Sequence, residues 1–376
     1  MSLGKQGSKL KNNQQFPMTL LQRLLMPLAV LYNAGTKFRN HLYDIGNRKS
    51  FGFDVGVISV GNLSAGGSGK TPMVEYLVTL LANKYPLCTL SRGYKRKTKG
   101  FKMANADDNA LSIGDEPFQF YTKFNTIASI AVGEERALAI PEILFEKPET
   151  KVIILDDAFQ HRSVVPDLSI LVTEYGRPFF EDYLLPSGRL REARKQAKRA
   201  DIIVVSKCPE NISKETWQYF LNEISRYARQ DVSVFFTFLQ YGNPVHWYTG
   251  ETVDLQNALA FTGIGNPLPF YQYLERNQVL VDKKEFPDHY IFSETDILSI
   301  KKAFDSINLE AKCMLTTEKD IIRIKSLPFS KKMQEWPLYY VPVKIAFVEN
   351  AELFDIKVQE VIKRKLEELN IKTEDC

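Results

Sequence analysis

Apolar residues along this chain come in short unbroken runs, and amphipathic stretches of helical spacing lie between them. Val55, Val57, Ile58 and Val60 form the first run. Others lie at 86–91 (PLCTLS), 126–132 (TIASIAV), 151–156 (KVIILD), 168–172 (LSILV) and 201–206 (DIIVVS). A strand that is apolar at successive positions is covered on both faces, which is the condition of a parallel sheet. Helical periodicity at 71–82 (TPMVEYLVTLLA) and near 134–145 supplies the cover, and Gly-Asp-Glu-Pro at 114–117 reads as a turn. The pattern predicts an α/β fold with a doubly wound, mostly parallel sheet and ligands at the carboxyl ends of its strands.

From about Asn243 the pattern loosens, then resumes at 258–263, 313–316 and 338–343 between helical stretches. We read a second, smaller α/β domain there, joined by a linker around 239–254. The chain thus divides into an N-terminal segment at 1–50, a core at 51–240 and a smaller domain at 241–376. No internal repeat or low-complexity tract appears.

Residues 16–43 (FPMTLLQRLLMPLAVLYNAGTKFRNHLY) contain an apolar run at 24–32, with Arg23 before it and Lys37, Arg39 and His41 after it. Crossing a bilayer takes about 20 apolar residues, so this run is too short, and no small-residue cleavage site follows it. Two readings stay open: an amphipathic helix in a membrane interface, or a first helix packed on the core. Pro27 is expected to kink either one.

The strand at 55–60 leads into Ser59-Val-Gly-Asn-Leu-Ser-Ala-Gly-Gly-Ser-Gly-Lys-Thr71. Between a buried strand and a helix, Gly66, Gly67 and Gly69 let the backbone turn its N–H groups inward, at a helix end that favours anions. This is a phosphate-binding loop of the P-loop NTPase type, formed by Ser64, Ala65, Gly66, Gly67, Ser68, Gly69, Lys70 and Thr71. Lys70, placed on an exposed loop, would reach the terminal phosphates of a nucleotide triphosphate, and the Thr71 hydroxyl would ligate Mg²⁺. The strict pattern has glycine where this chain has Ser64. The run KVIILD ends in Asp156 and Asp157, where a carboxylate that holds the Mg²⁺ shell belongs. Adjacent residues point in different directions, so only one of the two takes that role.

Composition narrows the class. The 376 residues are 44% hydrophobic and 25% charged, which suits a globular chain with two cores. Cys88, Cys208, Cys313 and Cys376 show no paired spacing and read as thiols of a reducing compartment. A net charge of +4 without a recognition motif gives no case for nucleic acid. Basic residues cluster at 92–102 and 189–199, either as solvated faces or as anion-facing patches.

Nine segments occur in order: SVGNLSAGGSGKTP, LSRGYKRK, GDEP, LDDAFQHR, LLPSGRLRE, VVSKCP, FTGIGNP, FPDHY and TEKD. Together they closely resemble the tetraacyldisaccharide 4′-kinase family, the lipid A 4′-kinases of Gram-negative bacteria, over nearly the whole chain. Ser64 matches that family's own loop. The resemblance implies transfer of the ATP γ-phosphate to the 4′-hydroxyl of a tetraacylated glucosamine disaccharide 1-phosphate, giving lipid IVA. It implies a peripheral enzyme on the cytoplasmic face of the inner membrane, whose partners are the glycolipid and the membrane surface, with no nucleic acid and no obligate protein partner.

The resemblance also implies site residues. Asp115 and His289 act together as the base, one from each domain. Glu116, Gln160 and His161 fall near metal and nucleotide, so that Thr71, Asp156, Asp157 and Glu116 form the metal set. Arg136, Arg191 and Glu192 serve binding or charge neutralisation, with Lys319 and Asp320 as lesser candidates. Two alternatives remain: a nucleotide switch or partner-loading GTPase at the membrane surface, and a structural protein with a decayed site. Lys207 sits where guanine-reading loops occur but lacks the Asp two residues on, and intact Lys70, Thr71, Asp156 and Asp157 oppose decay.

Overall fold

The computed structural model describes residues 19–374. Residues 16–18 of the anticipated amphipathic segment, and Cys376, lie outside them. Nine strands form the large sheet, in the order Val343–Phe347, Ser233–Tyr241, Ile202–Ser206, Leu168–Glu174, Gly56–Gly61, Val152–Asp156, Leu87–Ser91, Ser129–Val132 and Lys102–Met103. The inner seven are parallel, and an antiparallel strand closes each edge. Gly56–Gly61, buried at every position, lies near the centre. The chain leaves it toward Leu87–Ser91 on one side, and the later strands Leu168–Glu174 and Ile202–Ser206 lie on the other. That reversal opens a crevice at the carboxyl end of this strand, where a ligand belongs.

The helix Lys70–Leu81 packs on one face with Met73, Val74, Leu77, Val78 and Leu81 buried. Beside it, Phe354, Val358 and Ile362 of the helix Ala351–Glu374 are spaced by four and fully buried in the same core. The opposite face is covered by Arg136–Glu146, through Ala139, Ile140 and Ile143.

A second sheet has the order Leu280–Glu285, Asn257–Thr262, Lys312–Thr317, Leu338–Val341 and Val245–His246, parallel except for the last pairing. Phe261, Met314, Phe292, Ile297 and Ile321 are in its core.

Three expectations are corrected. The second unit does not run to the C-terminus: after Pro342 the strand Val343–Phe347 pairs with Ser233–Tyr241, and the last helix returns to the first core. The crossing between units is also tighter than a linker at 239–254. The chain leaves at Gly242 and returns at Pro342, and the Gly242 N–H donates to the Pro342 carbonyl at 2.9 Å. The Gly-Asp-Glu-Pro segment is a helix start and not a turn, with Gly114 capping Asp115–Phe124 and both acids in the first turn. Carboxylates there are favoured by the helix dipole.

At the N-terminus a short helix, Leu20–Leu24, breaks at Leu25 and Met26–Asp44 follows. Pro27 sits in the first turn of the second helix, where no N–H partner is needed, and the expected interruption falls just ahead of it, at Leu25. This helix is neither buried nor loose. Across the two helices only Ala29 and Asn40 are buried, while Leu20, Leu21 and Leu24 of the first and Leu28, Leu31 and Phe38 of the second are exposed. No described helix is long and apolar enough to cross a membrane.

Candidate active site

The loop at 62–69 joins the central strand to its helix with two residues in left-handed backbone, Gly66 (φ 106°) and Gly69 (φ 87°). Side chains rarely adopt that region, so glycine carries the turn. The loop is tied on several sides. Asn62 Nδ2 donates to Ser68 Oγ at 2.9 Å, the Ser206 hydroxyl donates to the Ser68 carbonyl at 2.6 Å, and the Ala65 N–H donates to the Arg189 carbonyl at 2.7 Å. Gly61 lies so close to Phe159 that a Cβ would stand 2.5 Å from its backbone nitrogen.

Lys70 is buried, not exposed as expected, and its Nζ stands 3.5 Å from Asp157 Oδ1. Asp157 has φ 47°, left-handed for a residue with a side chain. That turn separates the two aspartates. Asp156 stays in the sheet, where Oδ2 accepts from the Ser91 hydroxyl at 3.2 Å while buried Oδ1 has no protein partner. Asp157 turns out to Lys70 and to Arg191, whose Nη1 donates to both its oxygens at 3.0 and 3.1 Å.

Burial, reinforced by Glu116 and Asp157, pushes Asp156 up to about 7. Burial also raises Asp157, but Lys70 and Arg191 outweigh it and hold that carboxyl below its usual range. Glu116 is likewise raised by burial and brought below its usual range by Lys319 and Lys70. Its Oε1 accepts from the Thr71 hydroxyl at 2.9 Å and from Lys319 Nζ at 3.2 Å. Thr71, Glu116, Asp156 and Asp157 therefore converge below the loop. Among the described residues, no three His, Cys, Asp or Glu side chains stand as a ready-made metal cage.

His289 and Asp115 meet although 174 positions separate them: His289 Nδ1 lies 3.1 Å from Asp115 Oδ2. Burial raises Asp115, but the His289 contact and Arg323 outweigh it, so the carboxylate is ionised in the neutral range. An ionised carboxylate only accepts, so the shared hydrogen belongs to Nδ1 and the lone pair to Nε2. Nε2 lies 4.0 Å from Asp288 Oδ2, beyond hydrogen-bond reach. A free imidazole nitrogen oriented by a carboxylate on the other side is the arrangement of a general base.

The remaining candidates divide. Gln160 Nε2 donates to the Asn62 carbonyl at 2.8 Å, close behind the loop. Arg136 is fully buried and turned to backbone, donating to the Asp156 carbonyl at 3.0 Å, so it braces the strand tip instead of meeting phosphate. Burial, with Arg136 and Arg92 nearby, drives His161 down to about 4. Glu192 is fully buried and accepts from Arg39 and Asn40 of the N-terminal helix, both at 2.9 Å, and from Arg199. It anchors that helix. Asp320 is buried in the second unit, where Thr262, Thr317 and Gly263 donate to it.

Sequence reasoning missed Arg323, whose Nε donates to Asp115 Oδ2 at 2.8 Å. The available signal was a cation among isoleucines in IIRIK, three residues past Asp320, since a buried arginine needs an acceptor. It also missed Lys123, which links Glu75 of the first unit to Glu318 of the second at 2.7 and 2.9 Å.

Comparison with known proteins agrees with this architecture. The family model described as tetraacyldisaccharide-1-P 4′-kinase matches residues 21–363. A tetraacyldisaccharide 4′-kinase of Flavobacterium johnsoniae is 41% identical over 93% of this chain and 100% of its own. One from Bacteroides thetaiotaomicron is 39% identical over 88% of this chain and 90% of its own. Among solved structures, an "apo" form of LpxK from Aquifex aeolicus in complex with ATP matches with a TM-score of 0.71 and 30% identity, covering 91% of this chain and 100% of that one. With a family model matched over most of its length and relatives near 40% identical, the chain belongs to the tetraacyldisaccharide-1-P 4′-kinase family.

Proposed function

We propose that this chain transfers the γ-phosphate of ATP to the 4′-hydroxyl of a tetraacyldisaccharide 1-phosphate. The observation that carries the reading is the Asp115–His289 pair, built across the two units beside the residues that face the loop. A sugar hydroxyl attacks phosphorus only as its proton leaves. His289 Nε2 accepts that proton, the oxygen bonds to the γ-phosphorus, and the bond to the β-phosphate oxygen breaks to release ADP. Asp115 holds the imidazole tautomer and balances the charge that forms on it. Lys70 and the loop N–H groups receive the phosphates, with Gln160 behind the loop and Arg191 beside Asp157.

The residues fit Mg²⁺. This ion uses one or two carboxylates and keeps phosphate and water as its other ligands, so no protein cage is required. Asp156 Oδ1, buried without a partner, and the Thr71 hydroxyl with Glu116 offer the donors. Bound there, Mg²⁺ would neutralise charge on the phosphates.

The acceptor has a sugar head and acyl tails, so the enzyme works at a membrane surface. The exposed leucines of the N-terminal helix support peripheral attachment, with burial contributing about 0.8 kcal/mol per CH₂. The cytoplasmic face of the inner membrane, where ATP is available, is the proposed location.

Purified protein incubated with Mg²⁺, ATP and the tetraacyldisaccharide 1-phosphate should give product heavier by one phosphoryl group. Consumption of GTP without acceptor, and no product from ATP, would point to a nucleotide switch instead.

A further inference from the structure

The base pair described above leaves one strong contact unexplained. Arg323, on the helix Glu318–Lys325, is buried, and its guanidinium spans four groups. Nη1 donates to the Gly263 carbonyl at 2.9 Å and to Asp320 Oδ1 at 3.0 Å. Nε donates to Asp115 Oδ2 at 2.8 Å, and Nη2 lies against His289 Nδ1 at 3.2 Å, a packing contact and not a hydrogen bond while Nδ1 carries the hydrogen. We propose that Arg323 is a positioning residue of the phosphoryl transfer, which fixes Asp115 against His289 so that Nε2 of the imidazole faces the acceptor hydroxyl. This rests on the reading of Asp115 and His289 as the base.

The fork itself has little freedom. Asp320 is fully buried, and its other oxygen accepts from the Thr262 hydroxyl at 2.6 Å, the Thr317 hydroxyl at 2.7 Å and the Gly263 N–H at 3.1 Å. A saturated carboxylate of this kind holds the guanidinium plane from behind. The Gly263 carbonyl also accepts from the His289 N–H at 3.0 Å, so one carbonyl fixes both the arginine and the backbone of the histidine. That backbone is at φ 59°, a left-handed conformation that persists only where the surroundings impose it. A planar guanidinium suits this task, because its donors lie at fixed angles and a lysine has a single point of charge.

Sequence distance makes the arrangement necessary. Asp115 starts a helix of the first unit, whereas His289 lies in a loop of the second. Arg323 belongs to the unit of His289 and grips the acid of the other, so it bridges the two members of the pair. Misplacement of about 1 Å costs roughly 10²-fold in rate.

The test is kinetic, on the full-length protein with ATP, Mg²⁺ and the tetraacyldisaccharide 1-phosphate. Arg323→Gln should lower kcat about 10²-fold with KM for ATP and for lipid unchanged. Arg323→Lys keeps the charge and should still lose about tenfold, because it lacks the fork. If the Gln variant does not fold, the Lys variant alone decides: wild-type kcat in folded Arg323→Lys overturns the proposal. In an Asp115→Ala background, Arg323→Gln should cost nothing more, since its effect passes through Asp115. Losses that add in that cycle, or a raised KM with normal kcat, overturn the positioning role and leave the base intact. Full turnover in Asp115→Ala and His289→Ala would instead remove the base reading, and this inference with it.

Discussion

The two halves of the proposed catalytic centre are built on opposite principles. On the phosphate side, eight consecutive residues from Ser64 to Thr71 form the loop, and the Asp156–Asp157 turn lies on the adjacent strand. Each part is specified by local backbone: left-handed glycines, a helix start and a strand tip. On the base side, Asp115, His289 and Arg323 come from three separated segments and two units. Nothing local specifies that pair, and only packing of the helix Glu318–Lys325 against Asp115–Phe124 creates it. The phosphate side should therefore be robust to events at the interface between units, and the base side should depend on them.

The sharpest separation comes from Lys70→Ala. Its loss removes the charge expected on the transferred phosphate and should lower turnover about 10³-fold. Asp157 keeps Arg191 as a partner, so the fold should survive burial of the altered site. Unchanged turnover with an unchanged circular dichroism spectrum would break the phosphate-side assignment.

Next in size is the base. His289→Ala and Asp115→Ala should each cost about 10²-fold, within the range of general base catalysis. On the proposed reading the two act as one unit, so the double variant should cost little more than the worse single. Measured log-rate losses that simply add would show that the pair is a structural contact between units.

The same contrast separates what the sequence disclosed from what it hid. The loop, the KVIILD strand and the doubled aspartate follow from composition and spacing because their geometry is local. The buried strands of the parallel sheet are equally legible, since each is continuously apolar. By contrast, Leu280–Glu285 is an edge strand whose residues are largely exposed and polar, and it carries no such signal. Val343–Phe347 was assigned to the wrong unit because its partner, Ser233–Tyr241, lies about a hundred residues upstream. Periodicity names an element and says nothing of its neighbour. Asp115 and His289 were placed together only through resemblance, and Arg323, whose acceptors Asp115 and Gly263 lie 208 and 60 positions away, was not found at all.

A third effect is a pH dependence at the phosphate side. Asp156, ordinarily at 3.8, is raised to about 7, chiefly by burial. The native protein thus holds a proton that the unfolded chain has already lost. Between those values stability falls as pH rises. A cation beside the carboxylate reverses this, so Mg²⁺ should raise the melting temperature more at about pH 8 than at about pH 6. Asp156→Asn should flatten the slope of melting temperature against pH in metal-free protein. An Mg²⁺ response independent of pH would detach Asp156 from the metal.

The smallest effect on chemistry is expected from the helix that touches the phosphate side from outside. Tyr32 donates from its hydroxyl to the Arg191 carbonyl at 2.9 Å, and Arg39 reaches Glu192, so Met26–Asp44 is fastened next to the residues that hold Asp157. Leu24 and Leu28 lie on the exposed face, away from those anchors, at 68% and 52% exposure. Apolar burial in a bilayer is not screened by salt, whereas attraction of basic residues fades as the Debye length shrinks to ~3 Å near 1 M. The intact protein should then stay on anionic vesicles in high salt, and Leu24→Glu with Leu28→Glu should release it. In detergent micelles the double variant should keep its KM for ATP and lose at most a few-fold in turnover, because neither leucine supports the loop. Stripping of the intact protein by salt alone would reduce the attachment to electrostatics. A raised KM for ATP in the variant would show that the helix is part of the phosphate side, and would end the view of that side as locally determined.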